Sequence, residues 1–147
     1  MDTDLLSKIL FATIGTMGFA VGSNIRGWKL LFTSLGGAIG WGSYLLVLQQ
    51  THALLLSIFI GALLVSLYSE ILGRIFRVPI TVFVVCGIIP LVPGSVIYYA
   101  MSQYVQGNFM KAMRLMMQAL LIAGTISISI AVVSTFANIF QDLKRRL

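Results

Sequence analysis

Five apolar runs divide this chain, and short polar connections separate them. The runs are Leu5–Gly22, Leu30–Leu48, Ala53–Gly73, Pro79–Val105 and Leu115–Phe140. A helix needs about 20 mostly apolar residues to cross a hydrocarbon layer, and each run meets or approaches that length. The connections are Ser23-Asn24-Ile25-Arg26, Gln49-Gln50-Thr51-His52, Arg74 to Val78, and Gln106-Gly107-Asn108. None can hold a soluble domain. A backbone group without a partner costs several kcal/mol in lipid, so the helix, which bonds internally, is the spanning form these runs predict. The expected fold is all-α: a polytopic integral membrane protein with about five transmembrane helices, forming a single transmembrane domain over residues 1–147. The last two runs exceed the minimum, so they are expected to tilt, break or extend beyond the hydrocarbon.

The fourth run carries its own interruption. Between Val78 and Val105 there is no charged residue, yet Pro90-Leu91-Val92-Pro93-Gly94-Ser95 lies near the middle. Proline has no N–H, so Pro90 and Pro93 cannot bond the carbonyls of Cys86 and Ile89. Gly94 tolerates backbone angles that other residues avoid. The pattern predicts one half-helix ending near Ile89 and a second beginning at Pro93, since proline suits the first helical turn. The free N–H groups of Gly94 and Ser95 would then point at the break, where an anion is favoured. At about 1.5 Å per residue the break falls roughly 17–24 Å from Pro79, at or just past the centre of a 30 Å core. Transporters build substrate sites from such breaks. A structural kink is the plainer reading, because neighbouring helices can re-satisfy the backbone.

Composition agrees with the membrane reading and narrows the function classes. Hydrophobic residues make up 59% of the 147 residues and charged residues 10%, against about a quarter charged in a soluble domain. The mean hydropathy is +0.99. A net charge of +6 could suggest nucleic acid, but the basic residues cap the apolar runs and form no continuous patch. Cys86 and His52 are the only residues of their kinds, which excludes an internal disulfide, a cysteine-based zinc cluster and paired-histidine metal motifs. No cofactor is implied. No Ser/His, Asp/Asp or metal-ligand constellation lies in the spans, so an intramembrane enzyme is disfavoured. The first run follows acidic Met1-Asp2-Thr3-Asp4 and reads as a retained span, not a signal peptide.

Five crossings place the termini on opposite sides. One side collects Arg26, Lys29, Arg74, Arg77, Lys144, Arg145 and Arg146, and the other Lys8, Lys111 and Arg114. Basic residues in short loops stay in the cytoplasm, so the C-terminus is expected inside and the N-terminus outside. A re-entrant turn at Pro90–Ser95 would change that parity.

Glu70 is the only acidic residue within a proposed span. It stands four residues before Arg74 in the favourable order for an ion pair. An ionised group deep in a bilayer costs about 2.5–3.5 kcal/mol on insertion scales, so it usually has a partner or a task. Two readings stand: an interfacial ion pair with Arg74, or a proton- or cation-coupling group at the inner mouth. Small residues form stripes at Gly36, Gly37, Gly40 and Gly42, at Gly18 and Gly22, and at Gly124, Ser127, Ala131, Ser134 and Asn138. These are packing faces first. Trp28 and Tyr104 read as interface anchors. Tyr98, a turn beyond Gly94, is the aromatic expected to face a ligand. The candidate substrate site is thus Pro90, Pro93, Gly94, Ser95 and Tyr98, with Glu70 and Arg74 as the candidate coupling pair.

The string Gly87-Ile88-Ile89-Pro90-Leu91-Val92-Pro93-Gly94-Ser95 … Tyr98, preceded by Glu70, Arg74 and Arg77, resembles the threonine/serine exporter family. The likeness covers nearly the whole chain, and its length is similar to the small subunit of the two-component, YjjB-like type. The resemblance implies a bacterial inner-membrane exporter of threonine and serine, or of dicarboxylates such as succinate, driven by the proton-motive force. It also implies a larger partner with a cytoplasmic soluble domain and about five spans. Such a domain followed by five spans leaves the chain outside, where the charge count places this N-terminus. A homo-oligomer is a further expectation. The alternative is a non-transporting membrane scaffold, supported by the small-residue faces and the scarcity of intramembrane polar groups.

Overall fold

The polar connections of the sequence become helix ends. In the computed structural model, which describes the backbone of residues 2–146 and the side chains of residues 5–139, six α-helices follow one another. They are α1 (Asp2–Gly22), α2 (Trp28–Thr51), α3 (Leu54–Phe76), α4 (Ile80–Gly87), α5 (Gly94–Val105) and α6 (Phe109–Arg146). No strand occurs among the described residues. α2 stops where His52 turns left-handed (φ 53°) and its N–H reaches the Leu48 carbonyl at 3.0 Å. α3 stops in the same way at Arg77 (φ 51°), and Pro79 then cannot continue the helix. Asn108 starts α6, its carbonyl accepting the amides of Lys111 and Ala112 at 3.1 and 3.0 Å. α6 therefore begins before the apolar run at Leu115. Apolarity marks where a helix meets lipid, and the helix formers between Phe109 and Arg114 extend it beyond that boundary.

α1, α2, α3 and α6 are each long and apolar enough to cross a membrane. α4 and α5 pass that test only as a pair: α4 runs on through the 3-10 turn Ile89–Leu91, and the stretch Ile80–Leu91 meets α5 at a bend of 52°. The expected break in the fourth span is thus present, with Pro90 inside the turn and Pro93 just ahead of α5.

The packing of α3 and α6 decides whether this pair crosses or turns back. Ser129 donates its hydroxyl to the Phe59 carbonyl at 3.2 Å, and Arg74 reaches the Ala137 carbonyl at 3.4 Å. Ile58 shares a core cluster with Ile122 and Ile126. Numbers rise together along both helices, so α3 and α6 run parallel. α3 ends on one face of the bundle and α6 starts on the other, so the chain between them must traverse it. A re-entrant loop would make the two helices antiparallel. The bent pair is the fourth of five crossings.

α4 runs back along α3. Gly73 meets Ile80, Gly87 meets Val65, and Gly61 meets Leu91. The break therefore lies beside Gly61, 7 residues after Leu54 and 15 before Phe76. At about 1.5 Å per residue it sits about one third of the way from the Leu54 end of α3, past the midpoint from Pro79.

Glycines let these helices approach. A Cβ on Gly40 would stand 2.5 Å from Cγ2 of Val65, and one on Gly87 would stand 2.7 Å from Cγ1 of the same valine. Gly37 lies against Thr16 of α1, and Gly36 against the ring of Tyr68, whose hydroxyl donates to the Phe32 carbonyl at 2.9 Å. The α2 stripe is a packing face, as its spacing suggests. Gly18, Gly22 and Gly124 differ: a Cβ on any of them would meet nothing within 4 Å. α6 instead faces the bundle with Ile122, Ile126, Ser129 and Val133, all buried.

Candidate functional site: a cleft at the broken crossing

The break bounds a cleft of about 120 Å³. Pro90, Leu91, Val92, Pro93, Ser95 and Val96 form one side, and Trp41, Tyr44, Leu54, Ile58 and Ile122 close it from α2, α3 and α6. Leu54 opens α3, so the cleft belongs to the half of the bundle that holds the α2–α3 connection.

Of the residues expected at the site, Pro90, Pro93 and Ser95 share this cleft. Gly94 is exposed, and its N–H is not free: it donates to the Val92 carbonyl at 2.8 Å. Pro93 at φ −76°, ψ 45° closes a three-residue turn of the inverse γ kind. The open donors at the head of α5 are therefore the amides of Ser95 and Val96, because that of Ile97 returns to the Pro93 carbonyl at 3.0 Å. This shifts the expected anion-facing pair by one residue, since a γ-turn consumes the amide that a plain helix start leaves open. Tyr98 lies outside the cleft wall. It is 69% exposed and packs edge-on against Tyr99, with ring centroids 5.6 Å apart. Pro93, Val96 and Ala100 form the face of α5 that turns inward, and Gly94 and Tyr98 occupy the opposite one.

The sequence reading passed over Trp41 and Tyr44, which stack at 5.0 Å over the break. The signal was available. Both stand one turn apart beside Gly40, more than three turns beyond Trp28, whereas interfacial anchors gather at helix ends. Lys8 was also unexpected here. With Phe11, Ala12, Trp41 and Pro90 it lines a second hollow of about 320 Å³ on the α1 side of the break.

Glu70 and Arg74 lie at the other end of the bundle. Arg74 donates to Glu70 Oε1 from Nη2 at 2.9 Å and from Nε at 3.3 Å, the i, i+4 ion pair its spacing predicts. The Glu70 side chain is 10% exposed and lines a cleft between α3, α4 and α6. The cleft at Glu70 and the cleft at the break open in opposite halves of the bundle. Between them lies an apolar cluster of Ile58, Ala62, Val65, Leu91, Ile122 and Ile126, with Ile88 packed against it.

A bundle of membrane-length helices with one bent pair defines a polytopic membrane protein. The family model for the threonine/serine exporter, ThrE, matches residues 8–136, and the chain belongs to that family. No solved structure matches it.

Proposed function

We propose that this chain is the small subunit of a two-component secondary exporter in a bacterial inner membrane, with its N-terminus outside and its C-terminus in the cytoplasm. Its cargo is a small carboxylate-bearing metabolite: threonine or serine, or a dicarboxylate such as succinate. The observation that carries this reading is the cleft at the break, lined by Trp41, Tyr44, Ser95 and Val96, the last two with amides that no backbone carbonyl takes up. The amides of Ser95 and Val96 suit a carboxylate, which the partial positive charge of a helix start favours.

Export then proceeds between two clefts. Cargo enters from the cytoplasmic side beside Glu70 and moves along α4, past Ile88 and Leu91, to the cleft at the break. The two prolines make the junction of α4 and α5 the place where the halves can move against each other, since no continuous ladder of hydrogen bonds crosses it. The coupling ion meets the chain at Glu70, the only acidic side chain among those described.

A partner is supported by the packing of α5. Among the described residues its backbone comes close to α6 and to no other helix, which leaves one flank of the break without a neighbouring helix. A larger subunit with its own spans, or a second copy, would supply it. The test is export under load. Deleting this subunit is expected to raise intracellular threonine or serine, or succinate if the cargo is a dicarboxylate. Unchanged efflux of all three contradicts the proposal.

A further inference from the structure

Two basic side chains stand where neither topology nor helix chemistry accounts for them. Lys111 and Arg114 lie in the first two turns of α6, where the partial positive charge of a helix start opposes a cation. They also lie at the end of the bundle away from Arg26, Lys29, Arg74 and Arg77, so the retention of basic loops in the cytoplasm does not place them there. Both are exposed, and neither has an ion-pair or hydrogen-bond partner among the described residues. The one described acidic side chain, Glu70, is held by Arg74 at the other end.

Between α5 and α6 the two cations line a groove of about 450 Å³ with Tyr99, Gln103 and Leu115. Gln103 Oε1 accepts from Asn108 Nδ2 at 3.2 Å, so the open group of Gln103 is its amide NH2. The groove thus gathers an ammonium, a guanidinium, an amide donor and a phenol hydroxyl, with no carboxylate among them. Tyr99 lies one turn deeper than Gln103 on α5, and Leu115 one turn deeper than Lys111 on α6, so the groove is cationic at its mouth and apolar below. Leu121, two turns on from Arg114, is exposed and continues the apolar track.

We propose that this groove holds an anionic phospholipid of the leaflet at the α5–α6 connection, the outer leaflet in the orientation given above. The phosphodiester takes Lys111, Arg114 and the Gln103 amide, the Tyr99 hydroxyl donates to a headgroup or ester oxygen, and an acyl chain follows Leu115 and Leu121 into the hydrocarbon. A groove charged at the surface and apolar beneath fits an amphiphile. An acidic peptide would satisfy the cations but lay unpaired backbone groups against the apolar floor. Phosphatidylethanolamine carries an ammonium group that both cations repel, so the groove selects lipids of net negative charge. The lipid lies against α5, the helix with a single neighbour, and its binding holds whatever the cargo is.

Native mass spectrometry of the full chain, delipidated in detergent, tests this with phosphatidylglycerol and phosphatidylethanolamine of the same acyl chains. Phosphatidylglycerol is expected to occupy the chain at about tenfold lower concentration, the scale of one charge-assisted contact. Lys111→Gln/Arg114→Gln is expected to lose that preference, and Arg26→Gln/Lys29→Gln to keep it. Equal occupancy by the two lipids overturns the proposal. So does a preference that survives in Lys111→Gln/Arg114→Gln, which would leave those cations to an acidic segment of a partner. Displacement of phosphatidylglycerol by an equal concentration of inorganic phosphate overturns it too, since the groove would then bind the free anion. If the double variant fails to accumulate, a photoreactive phosphatidylglycerol on the parent chain decides. Cross-links to the segment from Tyr99 to Leu115 support the site, and cross-links confined elsewhere contradict it.

Discussion

Gly40→Leu will leave almost no folded subunit in the membrane. Val65 is fully buried, wedged between Gly40 of α2 and Gly87 of α4. The first carbon added to Gly40 would already stand 2.5 Å from Val65, with the Gly87 carbonyl and Leu91 both at 3.6 Å. Val65 cannot retreat, because its other methyl meets the Gly87 backbone. Extra methylenes forced into a packed core cost about 1–3 kcal/mol, and leucine adds three carbons beyond the first. The backbone would have to separate three helices at once, where close approach is the main source of association in lipid. Gly18→Leu is the matched control, since nothing lies within 4 Å of its Cβ position. The amount of monodisperse protein extracted from membranes checks this: Gly40→Leu near zero, Gly18→Leu near the parent. A Gly40→Leu subunit at parental abundance would mean that the α2–α3–α4 contact is not the structural centre of the bundle.

The second large effect separates transport from scaffolding. Pro93→Ala/Gly94→Leu returns an N–H at position 93 and a good helix former at position 94, so it favours an unbroken fourth crossing. Position 94 has open space for the new side chain, so the variant is expected to accumulate normally. The γ-turn at Pro93 and the open amides of Ser95 and Val96 depend on the interruption, and export should fall about tenfold or more, the scale of one lost charge-assisted contact. Efflux per unit of membrane-inserted protein measures it. A scaffold predicts a different outcome: lost assembly, or no effect on either readout.

The crossings and the break were legible in the sequence because both follow from local rules. Twenty apolar residues need a helix in lipid, and Pro90, Pro93 and Gly94 interrupt one wherever they fall. The pairing of Glu70 with Arg74 was legible for the same reason, being set by four residues of one helix. What escaped depends on distance between elements. The mid-helix position of Trp41 and Tyr44 marks them as no interface anchors, but that they and Lys8 meet at the break follows only from α2 and α1 packing beside it. Tyr98 was aligned with Gly94 correctly by helical geometry, yet the face they share turns away from the bundle. Which face of α5 packs is settled by α6, so the sequence of α5 alone could not choose. The stripe at Gly124, Ser127 and Ala131 shows the same limit, for α6 buries Ile122, Ile126 and Ser129 instead.

The account stands or falls on whether cargo visits the junction of α4 and α5. Ser95→Cys places a thiol at that cleft in a chain whose one other cysteine, Cys86, is buried, and its reaction with a membrane-impermeant maleimide in intact cells can be followed directly. The account predicts labelling from outside, slowed by the exported metabolite and unaffected by a solute the subunit does not carry. A thiol that never reacts from outside, or reacts at one rate whatever the solute, would contradict it.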